Sequence, residues 1–336
     1  MIRLATIGTS NICNSFLYGA ARTNEYELTA VYSRKYDTGI AFAKKHGCQT
    51  VFTNLEEMAK CDFVDAVYIA TPNVFHYSQS KLFLENGKHV ICEKPIVTNS
   101  DDYVELKKIA DINNLIYMEA IVPRHIEAYK TVKSALKQIG KIKGADIRYL
   151  QRSSRLDAFL SGEQVNIFDM SLHAGALMDL GVYCVYGAVD LLGMPQDVTA
   201  QKTLLSNGAD GSGSVQFDYG DFKADLIYSK VEQSNKESVI LGEKGTLKLK
   251  MISQYTGVTL VIDGKEIIIS SSLSKAEQMQ GEAQRFADYI LKFHQNKVDY
   301  EAVSSLCLEV HKCMDQIKKS AGLVYPAKKH IRSKFL

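Results

Sequence analysis

Short apolar runs alternate with amphipathic segments through the first 120 residues of the chain. Residues 66–70, Ala-Val-Tyr-Ile-Ala, are apolar throughout, as in a strand buried on both faces. The pattern predicts strands at 3–7, 26–33, 66–70, 89–92 and 115–120, and helices at 11–22, 38–46, 76–86 and 101–113, the last capped by Ser100. Strands that alternate with helices predict a parallel, doubly wound α/β sheet.

The pattern changes after about residue 122. A helix at 126–137, a strand at 144–150, a polar loop at 151–169 and an apolar helix at 174–192 come first. Strand-like segments with turn signals between them follow at 198–204, 212–217, 223–229, 237–241, 246–249, 258–262 and 265–270, and two helices at 276–296 and 301–321 end the pattern. We therefore expect an α/β domain over residues 1–121 and an α+β domain with a large, mostly antiparallel open sheet over residues 122–336.

Composition narrows the class of protein. The 336 residues suit two domains, and a net charge of +2 gives no reason to expect a nucleic-acid partner. The apolar runs are shorter than a membrane span, and the chain enters a strand at once, so we expect neither a membrane anchor nor a signal peptide. The seven cysteines are odd in number and never spaced Cys-x-x-Cys, which predicts free thiols, no metal site and a cytoplasmic protein.

A glycine turn, Gly8-Thr9-Ser10-Asn11-Ile12, joins the first predicted strand to the first helix. Glycine there permits a tight turn and lets backbone N–H groups approach a pyrophosphate at the helix N-terminus. The full dinucleotide fingerprint would have glycines at positions 8, 10 and 13, but this chain has Ser10 and Cys13. By itself the turn therefore fits equally a plain strand–helix connection in another α/β protein.

The second strand ends in Ser33-Arg34-Lys35, without the carboxylate that NAD-specific sites place there. A hydroxyl followed by two cations suits a 2′-phosphate, which a guanidinium binds with two hydrogen bonds. We therefore predict that NADP is preferred, with NAD possible. The alternative is that Arg34 and Lys35 are solvated loop charges.

Three further motifs occur at the ends of predicted elements. Thr71-Pro72-Asn73, with His76 just beyond, follows the strand at 66–70, and Glu93-Lys94-Pro95 follows the strand at 89–92. Asp179-Leu180-Gly181-Val182-Tyr183 lies in the apolar helix. A cation at the carboxyl end of a parallel strand can hold a cofactor ribose, orient a substrate hydroxyl or stabilise an oxyanion.

In this order and spacing, the motifs resemble those of the Gfo/Idh/MocA oxidoreductases, over nearly the whole chain. The resemblance implies a Rossmann domain followed by an open sheet that often forms a dimer contact, and a cis bond between Lys94 and Pro95. Many members have histidine where this chain has Tyr183, and tyrosine there is similar to the branch with dimeric dihydrodiol dehydrogenase and glucose–fructose oxidoreductase. The cofactor-binding residues that we predict are Gly8, Thr9, Ser10, Asn11, Ile12, Ser33, Arg34, Lys35, Thr71, Pro72, Asn73, His76, Glu93, Lys94 and Arg124.

Hydride transfer at an alcohol carbon requires an acid/base for the hydroxyl proton. Tyr183 can serve if its pKa falls from about 10 towards neutrality, and the Lys94 ammonium is the candidate that would lower it. Asp179 lies four residues before Tyr183 on one predicted helix face, where it would hold Lys94 or bind a substrate hydroxyl. The plainer alternatives are a core position for Tyr183 and a turn position for Asp179.

Two residues keep two interpretations each, and a third departs from the family pattern. His76 fits a helix-start residue or a cofactor contact, and Arg124 fits a pocket residue or an ion pair between domains. His173, in a run where the family commonly has glycines, would reshape the substrate pocket. We expect a homodimeric or larger NAD(P)-dependent oxidoreductase acting on a sugar, polyol or related hydroxy/keto compound. The alternatives are a trans-dihydrodiol dehydrogenase and a cofactor-binding regulator without turnover.

Overall fold

The computed structural model describes residues 1–271 and 273–326 of the 336. The chain divides into two compact units. Of the described residues, the first unit comprises Met1–Ile126 and Leu273–Leu308, and the second comprises residues 127–271 and 309–326. The sequence prediction places all of residues 122–336 in the second domain, whereas here residues 122–126 and 273–308 belong to the first unit.

The first unit contains a six-stranded parallel sheet in the order β3-β2-β1-β4-β5-β6. Its strands are β1 (Ile2–Ile7), β2 (Tyr26–Tyr32), β3 (Val51–Phe52), β4 (Ala66–Ile69), β5 (His89–Glu93) and β6 (Tyr117–Ala120). Its first helices are α1 (Asn11–Ala21), α2 (Tyr36–Lys45), α3 (Leu55–Lys60), α4 (Asn73–Glu85), α5 (Ser100–Ile112) and α6 (Val122–His125). The strand order is that of a Rossmann fold. The strand order reverses between β1 and β4, which makes this position the topological switch point of the sheet.

The predicted pattern of this sheet is confirmed, with local differences. The apolar strand β4 is buried at all four residues, as its sequence predicts. The two-residue β3 and the six-residue α3 were not predicted, because elements this short carry too little periodicity. The cap of α5 is Asn99 instead of Ser100, and its side chain accepts a hydrogen bond from the Asp102 N–H at 2.9 Å.

The second unit contains an eight-stranded sheet in the order β14-β13-β12-β11-β7-β10-β9-β8. All neighbouring pairs are antiparallel except β7 and β10, which are parallel. Its elements up to residue 270 are α7 (Ala128–Gln138), β7 (Ile142–Leu150), α8 (Leu156–Leu160), α9 (Val182–Leu192), β8 (Asp197–Leu204), β9 (Asp210–Asp218), β10 (Lys223–Ser229), β11 (Ser238–Gly242), β12 (Gly245–Met251), β13 (Thr256–Ile262) and β14 (Lys265–Ser270). The predicted mostly antiparallel sheet is confirmed.

A π-helical turn, Leu177–Gly181, leads directly into α9. Within the described chain, the helical stretch Met170–Leu192 is long and apolar enough to cross a membrane by length and composition. Most of it, 78%, is buried inside the protein, as in the core helix of a globular domain.

The last two helices are α10 (Lys275–Leu291) and α11 (Phe293–Ala321), which meet at Lys292 and not near residue 300 as predicted. α10 begins with a capping box in which Ser274 and Glu277 exchange hydrogen bonds. It packs against α1 in the first unit, where Gly19 lets the two helices approach closely. This contact is the physical reason why residues 273–308 belong with the parallel sheet.

Candidate active site

The glycine turn lies where the parallel sheet changes direction, the place at which open α/β sheets bind ligands. Gly8 has a φ of 112°, and a Cβ on it would lie 3.0 Å from the carbonyl oxygen of Ala70. The turns after β1 and β4 therefore abut, and any side chain at position 8 would force them apart. Thr9, Ser10, Asn11 and Ile12 continue this turn, each at least partly exposed.

Ser10 is the N-cap of α1, with φ −75° and ψ 169°. That extended conformation is open to any residue, which explains how the fingerprint glycine can be absent here. The Ser10 side chain makes no capping hydrogen bond to the helix, so no side-chain cap covers the first N–H groups of α1. A helix N-terminus of this kind, beside a close-packed glycine, fits a dinucleotide pyrophosphate.

The end of β2 follows the same edge of the sheet. The Gly8 N–H donates to the Tyr32 carbonyl oxygen at 3.2 Å, which holds the glycine turn beside Ser33. Ser33 is 8% exposed and its hydroxyl accepts from the Lys35 N–H at 3.3 Å, whereas Arg34 and Lys35 are exposed. A fixed hydroxyl next to two accessible cations is a suitable donor set for a 2′-phosphate.

His76 joins the turns that follow β4 and β5. Its Nε2 lies 2.8 Å from the Thr71 carbonyl oxygen, and its Nδ1 lies 2.8 Å from the Pro95 carbonyl oxygen. The side chain is buried, and burial lowers the pKa of His76 although both carbonyl contacts favour the protonated ring. The structure therefore gives His76 a role in holding two turns together, and its predicted cofactor contact remains a prediction.

The other residues of the β4 turn are held by short-range contacts. The Thr71 hydroxyl donates to Gln79 Oε1 at 2.6 Å, and Pro72 is the N-cap of α4, which begins at Asn73. Since Gly8 packs against Ala70, these residues lie next to the glycine turn.

Glu93, Lys94 and Pro95 follow β5, and the Lys94–Pro95 bond is cis, as predicted. The buried Tyr68 hydroxyl donates to Glu93 Oε1 at 2.5 Å, and the Tyr68 ring stacks on Phe16 of α1 at 3.9 Å. Burial raises the pKa of the Glu93 carboxyl, although the Tyr68 hydroxyl and Lys94 favour its charged form.

Beyond Pro95, the same segment is held from β6. The buried Glu119 accepts from the Ile96 N–H at 2.8 Å through Oε1 and from the Cys307 thiol at 3.1 Å through Oε2. Together with the His76 contact on Pro95, this bond fixes the backbone on the carboxyl side of Lys94. Sequence reasoning missed the role of Glu119, because its partners Ile96 and Cys307 lie 23 and 188 residues away in the chain.

Arg124 forms an ion pair, which is one of the two roles left open by the sequence. The pair lies within the first unit, and not between domains as predicted. Its guanidinium donates to Asp299 Oδ1 at 2.8 Å, and its side chain is only 10% exposed. Asp299 also accepts from the Tyr289 hydroxyl at 2.6 Å. The predicted cofactor contact of Arg124 remains a prediction.

In the second unit, Asp179 and Tyr183 stand out by exposure. They are the only residues between Leu172 and Val189 that are not buried. Asp179 lies in the π-helical turn and Tyr183 in the first turn of α9, and such turns are frequent at functional sites. The Tyr183 ring contacts the Tyr149 ring edge-on at 5.8 Å. Tyr183 is therefore not a core residue of this helix.

The cation paired with Asp179 in the structure is Lys230, at the end of β10, which sequence reasoning did not select. Lys230 is 51 residues away in the chain, so no local pattern reveals the pair. The only signal was a lysine directly after a predicted strand.

His173 has a left-handed backbone, with φ 54°, and its ring is buried. Its Nε2 lies 3.0 Å from the Pro326 carbonyl oxygen, and the ring stacks on Tyr325. The structure thus connects His173 to the end of the described chain, and its predicted effect on a substrate pocket stays a prediction.

Comparison with known proteins agrees with this architecture. Residues 2–121 match the model of the oxidoreductase family with an NAD-binding Rossmann fold, and residues 129–248 match the GFO/IDH/MocA C-terminal domain. The chain belongs to the GFO/IDH/MocA family. The predicted family, fold class and enzyme class, a nicotinamide-dependent oxidoreductase, are therefore confirmed.

Among relatives in the GFO/IDH/MocA family, the chain is 40% identical over 329 residues to scyllo-inositol 2-dehydrogenase (NADP(+)) IolU of Bacillus subtilis, covering 97% of this chain and 99% of the relative. It is 25% identical to trans-1,2-dihydrobenzene-1,2-diol dehydrogenase of Xenopus tropicalis, covering 90% and 92%. The fold is similar to that of KijD10, a 3-ketoreductase from Actinomadura kijaniata in complex with NADP and TDP-benzene, with a TM-score of 0.81, 21% identity and coverage of 95% and 98%.

Proposed function

We propose that the protein is an NADP-preferring dehydrogenase or reductase of a sugar or cyclic polyol, with Tyr183 as the acid/base and Lys94 as the cation that assists it. The observation that carries the proposal is the selective exposure of Asp179 and Tyr183 in an otherwise buried helical segment. A phenol and a carboxylate on one accessible face are the groups that a hydroxylated substrate needs for proton transfer and for orientation.

The cofactor assignment is supported by residues of the first unit that suit the two phosphate groups of NADP. Gly8 and the N-terminus of α1 would hold the pyrophosphate, and Ser33 with Arg34 and Lys35 would hold the 2′-phosphate. When bound, the nicotinamide gives or takes the hydride. The name of the NADP-dependent relative that is 40% identical supports the same preference.

The roles of the protein's own residues follow from their chemistry. Tyr183 takes the hydroxyl proton when the alcohol is oxidised and returns it when the carbonyl is reduced. A cation near a phenol favours the phenolate, which is the part that we assign to Lys94. Asp179 accepts a hydrogen bond from a second substrate hydroxyl and so orients the ring.

The substrate class is supported by the inositol dehydrogenase relative. The dihydrodiol dehydrogenase alternative rests on relatives at 25% identity, and a charged Asp179–Lys230 pair is a poor match for an apolar diol.

All seven cysteines are free, which supports our proposal of a cytoplasmic location.

The experiment compares variants on a substrate panel of inositols, pentoses, hexoses and an apolar trans-dihydrodiol, with NADP and absorbance of the reduced nicotinamide as the readout. Tyr183→Phe should lower turnover by roughly 10²–10⁴-fold while NADP affinity stays nearly unchanged. Lys94→Ala should cost a similar factor, and the double variant should be little worse than the worse single one, because either loss disables proton transfer.

Tyr186→Phe is the matched control, since Tyr186 is a buried tyrosine one turn further along α9. It should leave turnover close to that of the wild type. A Tyr183→Phe enzyme with more than about a tenth of wild-type turnover would assign the proton to another group. Binding of NADP without turnover of any panel compound would favour the non-catalytic regulator.

A further inference from the structure

Among the described residues, Lys230 is the only buried lysine, at 5% exposure. Its ammonium forms an ion pair with Asp179. Burying an ammonium is costly unless it is paired, and a buried ion pair is often no more stabilising than apolar residues of the same size. Stability alone is therefore a weak reason for a lysine at this position.

The backbone of Lys230 is fixed on both sides. Its N–H donates to the Gly211 carbonyl oxygen at 2.8 Å, and its carbonyl oxygen accepts from the Ser153 N–H at 2.8 Å. The lysine therefore continues directly from β10 with its backbone anchored to β9 and to the segment after β7.

The turn that carries Asp179 is equally well held. The Leu177 N–H at its start donates to Asp210 Oδ2 at 2.6 Å. At its end, a Cβ on Gly181 would lie 3.0 Å from the Tyr228 ring, so this ring packs directly on the backbone. Both members of the ion pair thus project from rigid backbone, which is the condition for precise positioning.

The two side chains differ in access. The Asp179 side chain is 27% exposed, whereas that of Lys230 is 7% exposed. A ligand can therefore reach the carboxylate but not the ammonium. Lys230 therefore contacts a ligand only by way of Asp179.

We infer that Lys230 is a positioning residue that keeps Asp179 ionised and fixed as the acceptor for a substrate hydroxyl. This inference rests on the proposed function and extends it to substrate selection. An ionised acceptor that is held in place favours substrates with a hydroxyl at that position and penalises analogues that lack it, because the carboxylate would then be left without its donor.

The test measures kcat/KM against pH for the best sugar or polyol of the panel. Lys230→Met should lower kcat/KM roughly 10- to 100-fold, mainly through KM. Loss of the cation raises the pKa of a partly buried carboxyl, so the acid limb of the profile should move to higher pH. Lys230→Arg keeps the charge and should restore most of the activity and the wild-type acid limb.

Two comparisons separate positioning from general damage. In an Asp179→Asn background, adding Lys230→Met should cause no further loss, because the lysine acts through the aspartate. Lys223→Met is the matched control at the other end of β10, where the side chain is 57% exposed, and should leave kcat/KM unchanged.

A second readout needs neither cofactor nor substrate. In Lys230→Met the folded state favours the neutral form of the Asp179 carboxyl, because its pKa is raised. The folded state of the variant therefore loses stability as pH rises through that pKa and the carboxyl ionises. The melting temperature of Lys230→Met should therefore lie furthest below that of the wild type at neutral pH, and the gap should narrow in acid. In the Asp179→Asn background the gap should vary less with pH. The remaining variation should come from Asp210, whose pKa burial raises to about 7 although the Lys230 ammonium favours its charged form.

An unchanged kcat/KM and acid limb in Lys230→Met would overturn the inference while leaving the proposed function intact. A wild-type protein that turns over none of the hydroxylated panel with NADP would overturn both, and the melting series would still report on the charge pair. If Lys230→Met does not fold, the same comparison is made between Lys230→Arg and Lys230→Gln, and equal profiles for these two would overturn the inference.

Discussion

At the scale of single residues, the turns at the carboxyl edge of the parallel sheet are held together through contacts to their backbone atoms. Gly8 abuts Ala70, His76 contacts the carbonyls of Thr71 and Pro95, and Glu119 accepts from the Ile96 N–H. The turns after β4 and β5 and the segment after Pro95 are thus tied to each other within one unit. Lys94 lies in the middle of this frame, so its backbone is pre-organised.

The residue-scale prediction concerns cofactor choice. Arg34→Ala should weaken NADP binding more than NAD binding, by about 1.5–3 kcal/mol, because a charge-assisted bond to the 2′-phosphate is lost and NAD has no such group. Calorimetric titration of both cofactors measures the difference. Lys60→Ala, which removes another exposed cation of the same unit, should change neither affinity. Equal losses for NADP and NAD in Arg34→Ala would show that Arg34 is only a solvated charge.

At the scale of elements, the contact between α1 and α10 decides where the pyrophosphate turn sits. A Cβ on Gly19 would lie 2.5 Å from the backbone carbon of Met279 and 2.6 Å from the Gln280 nitrogen. These are backbone atoms of α10, so they cannot yield unless the helix moves. Because α1 also carries the turn at its N-terminus, any such movement reaches the proposed cofactor site.

Gly19→Ala should therefore destabilise the protein, although alanine is the better helix former. The gain in helix propensity is about 1 kcal/mol, whereas overpacking costs about 1–3 kcal/mol or more when backbone must move. Denaturant unfolding measures the net loss, and NADP affinity should fall with it. Ala21→Ser, on an exposed position of the same helix, is the control and should have little effect on either quantity. A more stable Gly19→Ala protein would mean that the two helices separate easily.

The same element shows what the sequence could and could not predict. The parallel sheet was predictable because apolar strands, helix caps and glycine turns are local signals within about ten residues of each other. The packing of α10 in the first unit was not predictable. The helical period of apolar residues shows which face of a helix is buried, but not which element packs against that face. The Asp179–Lys230 pair joins residues 51 apart, and the exposure of Asp179 and Tyr183 depends on tertiary packing, so both required the structure.

At the scale of the whole molecule, the eight-stranded sheet has one buried face and one open face. The family resemblance implies that an open sheet of this kind often forms a dimer contact. The open face mixes exposed apolar side chains, Leu241 at 47% and Ile268 at 78%, with polar pairs such as Gln216 and Asp225. The strand register places these side chains on one side of the sheet. A mixed face of this kind is compatible with a dimer, because non-obligate interfaces are about as polar as the rest of a protein surface.

We therefore predict an isologous homodimer through the open face, in which the same patch on each copy contacts the other. Light scattering after size exclusion at micromolar concentration should give twice the chain mass of 37.4 kDa. Lysines at two apolar positions of this face, in Leu241→Lys/Ile268→Lys, should shift the protein to a monomer, since like charges would face each other across the two-fold axis. Ile112→Lys, at a 69% exposed apolar position of α5 in the first unit, is the matched control and should remain a dimer. A wild-type monomer would exclude the dimer, and a double variant that stays dimeric would move the interface to another surface.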